Sequence, residues 1–384
     1  MLSRTSQGVG LPSEAAQAAL CAVLALIFAL GGDRFVGIER GFYDFCQRLS
    51  AATASAPVVI VSPDSANGNL WTLPRLDELI RDVKAAGARA IIPAAAAPPP
   101  VSLDDVSRLR SLIRLEERGG VLQSRAEPGL LQRQLAEAEQ HAGQQQRVAA
   151  AVLAAGNVVL GLPTTTRRLG VPPATGVCAD RVSAASARYA GQDSDRPVAA
   201  GLMPAAPMLC EAAAALGHVT LLADRDGTVR RAGPILTTDP GTLPSSALAA
   251  IGLEAGPPQA GGTLVRFYRS PDGAPGFPVV SAADVLSGRA TGALRNRYVV
   301  IGAPQAGATD SVRTPMAGNS GAAVMIATDL ANYLSHEHIR RPGWAIWVEI
   351  GLALLLAVGA VFGGRLALPA ATFLAVAGML LLLL

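Results

Sequence analysis

Charge is scarce in this chain of 384 residues: Asp, Glu, Lys and Arg together make up 16%, and aromatic residues only 4%. A soluble protein usually carries about a quarter charged residues, so a wholly soluble chain is a poor fit. The net charge is +3 and no Lys/Arg run appears, which excludes a nucleic-acid-binding groove. The four cysteines are Cys21, Cys46, Cys178 and Cys210, with no CxxC pair and no Cys/His cluster. A zinc site is therefore not expected. No GxSxG, P-loop, HExxH or strand-borne GxGxxG occurs, and no Ser/His/Asp order or carboxylate pair stands out. Neither catalysis nor a cofactor is expected of this chain.

What the chain does have is apolar sequence, 50% in all, and it is concentrated at the two ends. Residues 15–32 (AAQAALCAVLALIFALGG) match the length of a membrane-crossing helix. The run is longer than a usual signal-peptide core, so an uncleaved signal anchor is expected after a cytoplasmic tail of residues 1–14. Residues 344–362 form a second apolar span, broken only by Glu349, with Trp344 and Trp347 placed as an interfacial belt. Gly363, Gly364 and Arg365 turn the chain into a third span, residues 366–384, which carries no charge. The last residues are four leucines with no polar flank, so a truncated chain is expected. Arg4 and Arg365 favour a cytoplasmic N-terminus; Arg340 and Arg341 favour the reverse. With the N-terminus inside, residues 33–343 lie outside the cytoplasm.

That middle region has ordinary polarity and enough length for a real core. Ile38, Phe42, Phe45 and Leu49 recur at helical spacing. Residues 57–61 (PVVIV) and 89–92 read as strands, with a helix at 76–86 that Gly87 ends. This strand–helix–strand order predicts a partly parallel sheet. Further helices are expected at 103–115, 130–155, 245–253, 281–287 and 325–334, and strands at 158–162, 264–268 and 298–301. Residues 94–100 read as a linker or loop, and 164–207 as a long, partly irregular surface segment. Residues 217–222 and 228–237 should form a hairpin around Asp224-Arg225-Asp226-Gly227. A calcium loop there is excluded, because Leu222 and Gly233 stand where acids are needed. His141 and His218 read as structural. His336 and His338 are two apart, off the i, i+4 spacing a metal would want, and read as a solvated face. The Gly302–Gly307 loop lacks a following Lys, and Pro304 removes an amide donor. Cys178 and Cys210 either pair or remain two buried thiols.

The order of these features resembles a known family. A strand ends at Asp64, and Trp71-Thr72-Leu73-Pro74-Arg75 follows. Then come Gly87-Ala88-Arg89-Ala90-Ile91, Ala155-Gly156-Asn157-Val158-Val159-Leu160 and Gly217-His218-Val219. Asp224-Arg225-Asp226-Gly227-Thr228-Val229-Arg230-Arg231, Val299-Val300-Ile301-Gly302-Ala303, Asp310 and Thr314-Pro315 complete the series. The chain resembles the CHASE domain, type 2, over nearly its whole length. That domain is the extracellular sensor of bacterial adenylate cyclases, diguanylate cyclases and serine/threonine or histidine kinases. Thr72 and Leu73 depart from the family's Trp-Pro-Trp-Pro-Arg, Pro93 and Ala94 from an Asp after the second strand, and Ile326-Ala327-Thr328 from a His on the closing helix.

The resemblance implies an α/β extracytoplasmic sensor domain with a mixed, partly parallel sheet, flanked by transmembrane helices in a bacterial inner membrane. It implies an unknown extracytoplasmic ligand, a homodimer and a cytoplasmic kinase or cyclase effector that this chain does not encode. Asp64, Arg75, Asp226, Arg230, Asp310 and Thr314 are the ligand-binding candidates. The alternative is a stand-alone membrane scaffold that docks a partner on the Gln-rich helix 130–155.

Overall fold

The computed structural model describes residues 32–50, 52–63, 70–100, 106–108, 110–114, 130–165, 176–189, 201–203, 205–255, 264–270, 273–305, 311–316, 319–339, 344 and 347. Ala51–Arg340 forms one compact unit. Met1–Ser50 groups with Arg341–Leu384 as another, whose described part is helix α1 (Gly32–Leu49), Trp344 and Trp347. No helix among the described residues is long and apolar enough to cross a membrane. Of the three apolar spans, only Gly32, Trp344 and Trp347 fall among the described residues.

The larger unit is built on a sheet of mostly parallel strands. β1 (Val58–Ser62), β2 (Ala90–Pro93), β3 (Val159–Leu162), β4 (Thr164–Thr165), β5 (Gly201–Leu202) and β6 (Ala215–His218) come first in the chain. β7 (Leu222–Ala223), β8 (Val229–Arg231), β9 (Ile235–Thr237) and β10 (Thr242–Pro244) follow, then β11 (Val279–Ser281), β12 (Tyr298–Ile301), β13 (Ser311–Arg313) and β14 (Asn319–Gly321). β11, β1, β12 and β2 pair in that order, all parallel, with Ile60 opposite Val279 and Val300, and Val299 opposite Ile91. A bridge between Ile91 and Val158 sets β3 beside β2, and β3 pairs in parallel with β6. A parallel bridge from His218 to Ser245 continues to β10, which pairs antiparallel with β9. The sheet is thus mixed and largely parallel.

Strands covered on both faces need apolar residues at every position, and the VVIV of β1, the AII of β2 and the YVVI of β12 supply them. Val59, Val61, Ile91, Val299 and Ile301 point into one core. That core is shared with α2 (Leu76–Ala85), α3 (Leu130–Ala155), α4 (Val177–Ser186), α5 (Pro207–Ala212) and α7 (Ala282–Leu286). Val58, Ile60, Ile92, Val300 and Val159 point into the other, covered by α6 (Ser246–Ala255) and α9 (Ala322–Ser335). Each fully buried Val or Leu contributes about 1.5–3 kcal/mol, so a polar residue on either face of β12 would be felt at once.

Three expectations need revision. Residues 217–222 do not form one hairpin arm: Ala215–His218 joins the main sheet, and only Leu222–Ala223 pairs with β8. The arm splits because Gly217 lies against the start of α6. A Cβ there would sit 2.6 Å from Ser246 Cα, so the strand can approach so closely only with no side chain. The region 164–207 is not all surface, for it contains α4, whose Cys178, Ala179 and Val182 are buried. Residues 264–268 are extended but form no ladder; single bridges from Leu264 to Arg231 and Ile339 hold them.

Cys178 and Cys210 are joined, Sγ to Sγ 2.05 Å, tying α4 to α5. The Gln-rich α3 is part of the core rather than a free arm in its C-terminal half, where Val148, Ala149, Ala151, Val152 and Ala155 are buried. Gln144 faces inward too, its amide donating to the carbonyls of Trp71 and Leu73 at 2.9 and 2.8 Å.

Candidate functional site

Of the six residues marked by the sequence, Asp64 and Asp310 lie outside the described residues. Arg75 precedes α2, exposed, and its Nε donates to Glu78 at 2.7 Å. Asp226 and Arg230 meet in the turn between β7 and β8. Gly227 takes a φ of +78° there, and its amide donates to the Asp224 carbonyl at 2.9 Å. The Arg230 guanidinium donates to Asp224 Oδ2 at 2.8 Å, and to both Asp226 oxygens at 3.1 and 2.8 Å. Those hydrogen bonds hold the Asp226 carboxyl well below the usual carboxylate range. A bridge between Thr228 and Arg313 brings buried Thr314 alongside this turn. The structure therefore gathers Asp226, Arg230 and Thr314, and leaves Arg75 apart. In this cluster each acid already faces a cation, which makes it a clamp on the hairpin.

Several buried polar groups without a hydrogen-bond partner among the described residues lie where the parallel strands β6 and β10 end. In open α/β sheets ligands bind at the carboxyl ends of strands. His218 closes β6 and is only 2% exposed. Neither of its ring nitrogens has a partner in hydrogen-bond geometry. Asp329, the one acid in the apolar sequence of α9 (AAVMIATDLANYLS), reaches the same place. Its Oδ2 accepts from Ser245 Oγ at 3.0 Å, while Oδ1 has no hydrogen bond. Ser245 Oγ also accepts from the Leu248 amide at 3.2 Å, fixing the first turn of α6. His338 Nε2 stands 3.8 Å from Asp329 Oδ1, and its ring packs edge-on against Tyr333 at 4.3 Å. His218, Ser245, Asp329 and Arg231, with Val219 and Met325 as apolar walls, line a cavity of about 30 Å³. That volume holds a water molecule or two.

His338 is thus not on a solvated face, as its spacing suggested; its side chain is 4% exposed. Its neighbour in sequence, Glu337, is also engaged, accepting from the Tyr268 hydroxyl at 2.7 Å. Ser245 donates to the carboxylate directly with no imidazole between them, so these groups do not form a nucleophile–base relay. They form a small pocket lined by a neutral imidazole, close to the Gly233 and Thr220 backbone, and by a carboxylate oxygen with no hydrogen bond among the described residues. The sequence signal for it was the lone acid in α9.

The family model of the CHASE2 domain matches residues 19–364. The chain belongs to the CHASE2 family. CHASE2 domains are sensor domains. No curated protein and no solved structure matches the chain.

Burial pushes the His218 imidazole of this CHASE2 domain down to about 4, against smaller opposing pulls from Asp329 and from the Gly233 and Thr220 backbone. An unfolded His takes its proton near pH 6.5. The folded domain therefore has its full stability above that value and loses stability as pH falls from there toward 4. Between pH 7 and 5 the loss from this one group should be about 2 kcal/mol. His218→Phe should remove that part of the slope. Melting of the whole chain in detergent at the two pH values checks it: equal slopes for the two proteins would show that His218 is not held neutral.

Proposed function

We propose that this chain is the extracytoplasmic input module of a bacterial transmembrane receptor. In this reading residues 15–32, 344–362 and 366–384 span the inner membrane, and the Ala51–Arg340 unit senses a stimulus in the periplasm. The chain acts as a homodimer, and a cytoplasmic kinase or cyclase reads its output. Membership of the CHASE2 family supports the sensor role. The Cys178–Cys210 pair supports an oxidising compartment. The apolar side chains of α1, with Phe45 56% and Leu49 71% exposed, support association near the membrane.

The observation that carries the reading is the position of Asp329. It belongs both to the buried pocket and to α9, the last helix of the domain, which ends at Ser335 only a few residues before Trp344. A guest that binds one arrangement of α9 more tightly than another shifts that equilibrium by its differential affinity, and about 1.4 kcal/mol gives a tenfold shift. The scaffold alternative has less support, because the inner half of α3 is built into the core.

The test fuses a nucleotide cyclase after Gly364, the turn expected on the cytoplasmic side, and follows cyclase output in membranes. Asp329→Asn should change output several-fold at equal abundance. Arg289→Gln, which opens only an exposed pair with Asp284, should not. Output unchanged by Asp329→Asn would sink the receptor reading.

A further inference from the structure

A second cavity, of about 510 Å³, lies between α4, β6 and α6. Its volume is in the range of small-molecule sites. One wall is a single face of α4 and the turn after it: Arg181, Ala184, Ala185 and Arg188, at helical spacing. Leu216 and Leu253 face them from β6 and α6. Two cations line this cavity, and no described lining residue is acidic.

Arg181 is half-buried and has no carboxylate partner among the described residues. Its Nη1 donates to the carbonyls of Cys210, Glu211 (3.3 Å) and Ala213 (2.8 Å), and its Nη2 to that of Ala214 at 3.4 Å. Carbonyl dipoles thus offset its charge, and burial draws its pKa below the usual guanidinium value. A guanidinium has five N–H donors in a planar fork. Among the described residues the Nε–H of Arg181 and one Nη2–H have no acceptor, and such an edge takes a carboxylate bidentately. Arg188 is exposed and carries no hydrogen bond or ion pair with a described residue.

We propose that this cavity binds a small organic carboxylate, its acid group on Arg181 and Arg188 and its apolar body against the alanine and leucine walls. Beyond the two guanidinium groups the described lining offers only the Tyr189 hydroxyl as a polar side chain and is otherwise apolar, which suits a carboxylate on an apolar body better than a more heavily charged and hydrated phosphate. Only the carboxylate's role as a stimulus rests on the sensor reading; the binding itself does not.

The experiment uses the full chain in detergent with benzoate, benzamide and phenyl phosphate as probes, followed by calorimetric titration. Benzoate should bind at least tenfold tighter than either of the others. Arg188→Gln, which breaks no hydrogen bond or ion pair among the described residues, should weaken benzoate at least tenfold and leave the unliganded melting temperature unchanged. Arg181→Met should abolish binding, and Arg188→Gln keeps the test valid if that variant does not fold. Equal binding of benzoate and benzamide, tighter phenyl phosphate, or an unaffected Arg188→Gln protein would each overturn the proposal. If benzoate binds but leaves the cyclase fusion silent, the site stands and its role as a stimulus does not. If the fusion responds to Asp329→Asn while benzoate fails to bind, the receptor reading stands and this site does not.

Discussion

Arg230→Met should destabilise the domain by about 3–5 kcal/mol, the usual cost of removing one member of a buried ion pair. At roughly 2–4 °C per kcal/mol for a domain of this size, melting should fall by about 10 °C. The size follows from what is left behind. Arg230 is 3% exposed, and without it the mostly buried Asp224 carboxylate keeps its charge and loses its cation. Asp226 is 45% exposed, so water compensates it and the larger share of the loss comes from Asp224. Arg230→Lys should recover only part, because an ammonium cannot fork to two carboxylates as a guanidinium does. The triple variant Asp224→Asn/Asp226→Asn/Arg230→Met should recover most of the loss, since no charge is then stranded. A triple variant as unstable as Arg230→Met would show that the side chain matters for its packing and not for its charge. The acid limb gives a second reading. The Asp226 carboxyl is held below its ordinary value, so its contribution is complete at neutral pH and is lost only as pH falls below about 4.

The same cluster marks how far the sequence could be read. Asp-Gly between apolar runs signals a hairpin with a mechanism, and the turn forms at residues 224–227 because Gly227 alone accepts its φ without strain. The continuous Val and Ile runs of β1, β2 and β12 were legible for a similar reason, since a strand covered on both faces has no polar positions to show. Their order was not. β12 inserts between β1 and β2, although more than two hundred residues of chain separate it from them, because strand order depends on how the crossovers pack and leaves no local mark. α4 escaped notice because its inward residues are small: Cys178, Ala179 and Val182 bury little area and give a weak period.

The site followed the same division. Arg75 and Asp226 sit in memorable local motifs, and both turn out to be answered by neighbours three or four residues away. His218 and Asp329 sit in no motif. They meet because β6 ends where α9 crosses, and 111 positions of numbering between them hide that from any window of sequence. What could be seen was the oddity of a single acid in an otherwise apolar helix, and a buried charge of that kind needs a partner or a purpose.

Cys178→Ala/Cys210→Ala should cost about 3–4 kcal/mol. The two cysteines are 32 positions apart, and closing a loop of that length restricts the unfolded chain by about this amount. Reductant should lower the melting temperature of the natural protein by a similar step and leave the double variant unmoved. An unchanged melting temperature in both cases would mean that the thiols do not pair in solution. The consequence reaches beyond stability, because α4 carries Cys178 one turn before Arg181, and the Cys210 carbonyl is one of the acceptors that hold the Arg181 guanidinium. Untying α4 from α5 should therefore weaken benzoate binding as well, even at temperatures where the domain remains folded. Location enters through the same bond: protein retained in a reducing cytoplasm should melt like the double variant, and protein exported across the membrane should melt higher. Comparing the two preparations tests the disulfide and the extracytoplasmic placement in one measurement, since only export supplies the oxidant that closes the bridge.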